Sequence, residues 1–462
     1  MERTTAKKNK YEIDMCNGTI MDKLISFSLP LMLSGILQLM FNAVDIIVVG
    51  RFSGSQALAA VGSTSALINV FTNLFIGISL GANVLTARFY AAGREKEVSE
   101  TVHTAITLAL VSGIVMALVG LVFSRGALAL MGTPDDVIGL SALYMRIYFL
   151  GMPFFMLYNY GAAILRAVGD TKRPLLFLMI AGVINACLNM VLVIVFKLGV
   201  AGVAIATVIS QMISCVLVLR CLCRSESSYR LRFSELGMKG YYLKQIFSVG
   251  VPAGIQSTVI NFSNVLLQSS VNSFGSTAMA GYTAANNLLG FLYVSVNSIT
   301  QACMSFTSQN YGVGKLKRMD RVLADCMILS VVVAVVLGCI CYGFGPEILQ
   351  IYTEDAEVIA CGMEILAYTT ITYFLCGWMD LFPGALRGMG YSAVPMVLSV
   401  IGTVGTRVVW IFGIFPYHRS LAILFISYPA SWIITIVLQV ICFYFVRRRV
   451  HRRSQALAGQ EG

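Results

Sequence analysis

The sequence predicts an all-α polytopic membrane protein with twelve transmembrane helices, arranged as two six-helix lobes related by a pseudo-twofold axis along the membrane normal. Of its 462 residues, 57% are hydrophobic and only 12% are charged, whereas a soluble domain is about 25% charged. The mean hydropathy is +0.80. Apolar stretches of about twenty residues, long enough to cross roughly 30 Å of hydrocarbon as a helix, recur along the chain. The third observation is an internal duplication.

Hydropathy divides the chain into five parts. A polar and basic tail, 1–23, lacks the apolar core of a signal peptide. An N-lobe (24–222) and a C-lobe (246–446) flank a basic connector (223–245), and a basic tail (447–462) ends the chain. The predicted helices are, in the first half, 24–50, 57–81, 100–123, 141–165, 175–196 and 199–222, and in the second half, 246–271, 278–305, 322–344, 361–386, 394–415 and 421–446.

The duplication shows as matching loops at one constant offset of 221 residues. The matched pairs are Leu165–Pro174 with Leu386–Pro395, Tyr90 and Gly93 with Tyr311 and Gly314, and Gly54–Ala59 with Gly275–Ala280. Because each half holds an even number of spans, the two halves share one orientation. This predicts parallel repeats about an axis normal to the membrane, with a central path between the lobes.

The basic residues predict the topology. Of the 33 lysines and arginines, 27 lie on the side of the termini, and four lie opposite: Arg51, Arg125, Lys197 and Arg419. By the positive-inside rule both termini are cytoplasmic. The net charge of +11 therefore follows from topology, and we expect no nucleic-acid partner.

The motif search gives no enzyme. Gly77-Ile78-Ser79-Leu80-Gly81 fits the nucleophile-elbow pattern but lies inside an apolar span, where Gly77 and Gly81 are better interpreted as a small-residue packing face. Gly312-Val313-Gly314-Lys315 lacks the first glycine of a phosphate loop and the Ser or Thr after the lysine. We expect no catalytic residues and no cofactor.

Asp45 is the residue that points to function. An ionised carboxylate in hydrocarbon costs at least about 2.5–3.5 kcal/mol, so an acid inside a span is a functional hypothesis by default. Asp45 lies about 8 Å below the outer end of span 1, and Asn189 and Thr207 lie about 12 Å below the outer ends of spans 5 and 6. Asn185 is one turn from Asn189 on the same face. These oxygen-bearing side chains predict a site for a hard cation or for a protonatable Asp; helix–helix hydrogen bonding by Asn and Thr is the alternative.

The second lobe does not repeat this set. The equivalent positions are Leu267, Thr406, Trp410 and Tyr428, and Arg407 lies beside them. The ion chemistry is therefore predicted for the N-lobe alone. Arg407 either pairs with Asp380 or extends to the outer interface, and Asp380 either pairs with Arg407 or faces the central path and attracts cationic substrates.

The Asp45 segment, the stretch from Gly50 to Gly62 and the duplicated Leu-Arg-x-x-Gly turns at Leu165 and Leu386 resemble the MATE (multidrug and toxic compound extrusion) family of secondary transporters. The resemblance covers residues 20–446. It implies export of organic cations and drugs in exchange for H⁺ or Na⁺.

Residue by residue, Asp45 looks like the first-helix carboxylate of that family, and Asn185, Asn189 and Thr207 fall where some members place an N-lobe cation site. Those members carry a second Asp where this chain has Asn189, so the resemblance implies weaker sodium binding and favours the proton. Another branch carries a Glu near Asn261 in span 7, where this chain has no acid.

The sequence thus predicts a monomeric antiporter of the cell membrane, with Asp45, Asn185, Asn189 and Thr207 as its cation-coupling set, and as the metal ligands if the ion is Na⁺. Asn42, Asp380, Arg407 and Asn261 are the substrate-path candidates. The alternative function is a flippase for lipid-linked saccharides, whose anionic substrate would require a strongly basic cavity. The few cations within spans, chiefly Arg146 and Arg407, disfavour it.

Overall fold

The computed structural model describes residues 10–458, and within this range every regular element is helical. The predicted charges Arg3, Lys7 and Lys8, and the last four residues of the C-terminal tail, lie outside the described residues. The helices of the first half are α1 (Met21–Phe52), α2 (Ser55–Ala91), α3 (Glu95–Leu130), α4 (Asp135–Leu150), α5 (Met152–Ala167), α6 (Lys172–Asn189) and α7 (Gly199–Cys223).

The second half follows a connector with a single 3₁₀ turn at Phe233–Glu235. Its helices are α8 (Gly240–Asn272), α9 (Ser276–Gly312), α10 (Leu316–Gly343), α11 (Gly345–Gln350), α12 (Ala356–Thr369), α13 (Tyr373–Gly388), α14 (Ala393–Ser399), α15 (Thr406–Val409) and α16 (Leu421–Ala458). The segments Met190–Val195, Val400–Gly405 and Trp410–Ile414 are π-helical and continue the α-helices before them.

Six helical tracts lie in each half of the described chain, as predicted. Within residues 10–458, eight helices are long and apolar enough to cross a membrane, and the pairs α4–α5 and α12–α13, bent by 47° and 51°, bring the number to ten. The other two tracts, α8 and α9, are helical over 33 and 37 residues. They carry many Ser, Thr, Asn and Gln side chains, and composition alone does not identify them as spans.

The described chain forms two compact units whose boundaries differ from those of the predicted lobes. Unit 1 contains Leu33–Gly254 and the segment up to Ile13, and unit 2 contains Asp14–Met32 and the chain from Ile255 onward. Each unit therefore includes the first part of the other half's first helix. Hydropathy could not show this, because it locates spans along the chain but not their packing partners.

The close packing of α2 against the start of α8 explains why unit 1 extends to Gly254. A Cβ atom on Gly77 would lie 2.3 Å from the Cα of Gly254, and one on Gly81 would lie 2.2 Å from the carbonyl oxygen of Ile246. A Cβ atom on Gly250 would likewise lie 2.4 Å from the Cα of Ile78. Two small-xxx-small faces thus meet backbone to backbone, as the sequence interpretation of Gly77 and Gly81 anticipates.

In unit 2 the first part of α1 packs on α9. The rings of Phe27 and Phe306 meet edge to face at 5.6 Å, and both side chains are buried. The residues before α1 continue this contact: Asn310 donates a hydrogen bond to the carbonyl oxygen of Met15 at 3.1 Å. Unit 2 therefore also includes residues that precede the first predicted span, and these residues contact α9.

Candidate functional site

Asp45 is the centre of a polar cluster in unit 1, which is formed by α1, α6 and α7. Asn189 Nδ2 donates a hydrogen bond to Asp45 Oδ1, and Thr207 Oγ1 lies 3.5 Å from Asp45 Oδ2. Asn189 Nδ2 also donates to Asn185 Oδ1 at 3.1 Å. The structure thus brings together the four side chains that depth along the helices singled out in the sequence.

The orientation of the Asn189 amide follows from its neighbours. Its NH₂ group faces two oxygens, one of Asp45 and one of Asn185, and the flipped amide would bring its own oxygen against both of them. Asn189 is fully buried, and its Oδ1 atom has no hydrogen-bond partner among the described residues. One acceptor therefore remains free inside the cluster.

Asn189 also marks a change in helix type. It is the last residue of α6, and the π-helical segment Met190–Val195 begins directly after it. Such π segments often occur at functional sites, because they widen the helix locally and redirect side chains.

Thr207 has one hydroxyl proton and two possible acceptors. Its Oγ1 lies 3.0 Å from the carbonyl oxygen of Val203, one turn earlier on α7, and 3.5 Å from Asp45 Oδ2. The shorter contact is the better hydrogen bond. The proton is therefore directed to Val203, and a lone pair of the hydroxyl oxygen faces the carboxyl group of Asp45.

Two tyrosines near this cluster were missed from the sequence. Tyr144 and Tyr148 on α4 stack with ring centroids 6.1 Å apart, and both interact electrostatically with Asp45. Their spacing of four residues within an apolar span was the available signal. It did not separate them from ordinary core aromatics.

The remaining predicted residues do not join the cluster. Asn42 on α1 and Asn261 on α8 are exposed side chains. Asp380 on α13 is half-buried, and it forms no ion pair with Arg407 within the described chain. The pairing of Asp380 with Arg407, one of the two alternatives from the sequence, is therefore not formed.

Arg407 also does not extend to an interface, because its side chain is only 3% exposed. Its Nη1 atom donates hydrogen bonds to Ser263 Oγ at 2.8 Å and to Asn264 Oδ1 at 2.7 Å. The idea that Arg407 reaches the outer interface is thus wrong: neighbouring dipoles on α8 hold the guanidinium inside unit 2.

Comparison with known proteins places these features in a family. The MatE family profile matches residues 30–191 and 252–412, which together make up more than half of the chain. The "Probable multidrug resistance protein YoeA" of Bacillus subtilis is 32% identical over 434 residues, which cover 92% of this chain and 93% of that protein. The "Multidrug export protein MepA" of Staphylococcus aureus is 22% identical over 82% of this chain and 84% of its own length.

The fold is shared with solved structures. One, described as the "Outward-facing conformation of a multidrug resistance MATE family transporter of the MOP superfamily", superposes with a TM-score of 0.87 at 19% identity, covering 97% of this chain and 100% of that one. The fold agrees with the family profile, which matches each half of the chain once. The chain therefore belongs to the MATE family of efflux transporters.

Proposed function

We propose that this chain exports organic cationic or amphipathic drugs by antiport with H⁺, or with Na⁺, through alternating access. The printed names of its relatives, a multidrug resistance protein and a multidrug export protein, support this class of substrate. One observation carries the coupling: a single membrane-helix carboxylate, Asp45, contacts Asn189 and Thr207 inside unit 1. Ionisable side chains inside membrane helices commonly belong to ion or proton pathways.

A proton is the coupling ion that the geometry favours. When Asp45 is charged, it accepts a hydrogen bond from Asn189. When it is protonated, its O–H needs an acceptor, and the Thr207 oxygen, 3.5 Å from Asp45 Oδ2, supplies one. Both charge states of Asp45 thus find partners among the same side chains, which is the requirement for reversible protonation in a low-dielectric site.

Sodium is the second candidate ion, transported as cargo. Asp45, Asn185, Asn189 and Thr207 offer only oxygen ligands, which suits a hard cation. However, Asn185 Oδ1 already accepts a hydrogen bond from Asn189, and the set contains one carboxylate. A sodium ion would therefore be held less strongly here than in a site with two carboxylates.

Coupling requires that the protonation of Asp45 stabilises the outward- and inward-facing states to different extents. A proton on Asp45 removes the charge that Asn189 stabilises, and so changes the interaction of α1 with α6 and α7. This change shifts the equilibrium between outward- and inward-facing states only if the ion and the drug favour different states. Asp380 suits the drug side of the cycle, because it is a half-buried carboxylate without an ion pair or hydrogen bond to another described residue.

The same proposal includes location and topology. The excess of Lys and Arg on one side supports both termini lying in the cytoplasm. The proposal places the chain in the cell membrane, acting as a monomer. The exposed amides of Asn42 and Asn261 are the further polar side chains proposed for the substrate path.

The experiment is efflux of a fluorescent organic cation from proteoliposomes under a pH gradient or a sodium gradient, each imposed alone. Wild type is compared with Asp45→Asn and with the matched control Asp22→Asn, an exposed aspartate at the start of the same helix. We expect the Asp45 variant to lose gradient-driven transport and the Asp22 variant to keep it. Undiminished gradient-driven transport by Asp45→Asn would refute the coupling role.

A further inference from the structure

Arg407 is a buried cation that the proposed transport cycle does not use. It lies in the short helix α15, between the π-helical segments Val400–Gly405 and Trp410–Ile414. Its side chain is only 3% exposed. Because a charge at membrane depth is costly, such a residue calls for a functional explanation.

Neutral groups surround the guanidinium. Nη1 donates to Ser263 Oγ and Asn264 Oδ1, and the guanidinium carbon lies 4.8 Å from the centroid of the Tyr428 ring. The hydroxyl of Tyr428 is in turn hydrogen-bonded to that of Tyr282 at 2.7 Å. The Nε atom is buried and has no hydrogen-bond partner in the part of the chain that the structure describes.

No carboxylate of the described chain forms an ion pair with Arg407. The charge is therefore stabilised as a bound cation would be, by oxygen dipoles and the face of an aromatic ring. A hydrophobic side chain of similar volume would avoid the desolvation cost, so helix packing alone does not explain an arginine here.

The internal duplication shows which position Arg407 occupies. The offset of 221 maps Asn185, Asn189 and Thr207 of unit 1 onto Thr406, Trp410 and Tyr428 of unit 2. Arg407 directly follows Thr406 in the chain, and its guanidinium carbon lies over the ring of Tyr428. In the first span of each half the offset is 222, as the pair Pro30 and Pro252 shows, so Asp45 corresponds to Leu267. Ser263 and Asn264 lie one turn before Leu267 on α8.

We propose that Arg407 is a tethered cation, which permanently occupies in unit 2 the place where unit 1 binds its coupling ion. Unit 2 then keeps its cation-bound packing throughout the cycle, and only unit 1 exchanges an ion with the solvent. Arg407 is thus a positioning residue that makes the duplicated chain couple through one site. The inference deepens the proposed function, on which its account of coupling rests.

Chemical rescue tests the charge separately from the side chain's shape. Arg407→Ala, reconstituted in proteoliposomes, is assayed by drug counterflow, the exchange of labelled for unlabelled fluorescent cation without an ion gradient. Guanidinium ion or urea is added well below denaturing concentration. The two are planar and similar in size, but only guanidinium is charged.

We expect Arg407→Ala to lower the counterflow rate about tenfold, which corresponds to a barrier about 1.36 kcal/mol higher. Guanidinium should restore a large part of the rate, and urea should not. Wild type measured with the same additives corrects for any competition by guanidinium as a substrate. Equal rescue by urea would overturn the proposal, because the side chain would then act only through its shape and hydrogen bonds.

A second pair of variants decides the case if Arg407→Ala does not fold. Arg407→Lys keeps the charge, whereas Arg407→Gln keeps a hydrogen-bond donor without it. The lysine variant should transport faster than the glutamine variant, and a glutamine variant as fast as wild type would refute the tethered cation. Counterflow needs no ion gradient, so a failure of the Asp45 coupling test leaves this result interpretable by itself.

Discussion

Replacing Gly77 by alanine should destabilise unit 1, because α2 and α8 meet there backbone to backbone. The added Cβ would lie 2.3 Å from both Cα and N of Gly254. Carbon atoms in contact are about 3.5–4.0 Å apart, so the helices must separate by roughly 1 Å. The atoms in the way belong to the main chain, and no side-chain rotation relieves the clash.

The magnitude follows from two opposing effects. Overpacking in a filled interior costs about 1–3 kcal/mol, and alanine in place of glycine inside a helix gains about 0.5–1 kcal/mol. Gly62→Ala is the matched control, because it lies on the same helix and a Cβ atom there meets nothing within 4 Å. Gly62→Ala should show only the gain from replacing glycine by alanine in a helix. The free energies of unfolding of the two variants should therefore differ by the overpacking cost, about 2 kcal/mol.

The assay must report on unit 1. The three tryptophans, Trp378, Trp410 and Trp432, all lie in unit 2, so intrinsic fluorescence would follow the wrong unit. Cys215 is buried in unit 1, and its reaction with a thiol-specific reagent during heating in detergent, followed by peptide mass spectrometry, reports unit 1 directly. Each kcal/mol corresponds to about 2–4 °C for a unit of 150–250 residues. Equal midpoints for Gly77→Ala and Gly62→Ala would contradict the close approach of the two helices.

Two further predictions concern the cluster and the connector. Asn189→Leu removes the donor to both Asp45 and Asn185; since a hydrogen bond to a charged group contributes about 1.5–3 kcal/mol, gradient-driven efflux should fall tenfold or more, measured with the same vesicles. In the connector, the hydrogen bond from Arg232 lowers the pKa of Glu235 below its ordinary value of 4.5. The stabilisation is thus complete above pH 4.5 and is lost as the pH falls through the lower, folded-state pKa. Amide hydrogen exchange at Arg232–Leu236, corrected for intrinsic rates, should accelerate over that range.

Each of these two experiments has its own control. For the cluster it is Asn69→Leu, at an exposed amide on α2, which should leave efflux unchanged; equal losses in both variants would mean that Asn189 has no special role. For the connector, Glu235→Gln should remove the acid-induced acceleration, while Glu226→Gln, at an exposed connector residue, should retain it. An acceleration that persists in Glu235→Gln would assign the effect to another group.

The positions of the helices could be predicted because apolar length is a local property of the sequence. The predicted span 57–81, for example, lies inside α2, which continues to Ala91, since a helix does not have to end where the hydrocarbon ends. The spacing of Asn185 and Asn189 likewise predicted one face of one helix, and the two amides are hydrogen-bonded. Depth counting aligned Asp45 with them because helix rise per residue is constant.

Contacts between distant helices were settled only by the tertiary structure. The duplication identified the helices that correspond to the Asp45 site, but not that Arg407 would lie over the Tyr428 ring, buried and without an ion pair to a described carboxylate. The sequence also did not show that Gly254 belongs with unit 1. Composition and periodicity determine which segments enter the membrane and which face is polar, whereas the partner of each face depends on side-chain shape and backbone approach across helices far apart in the chain.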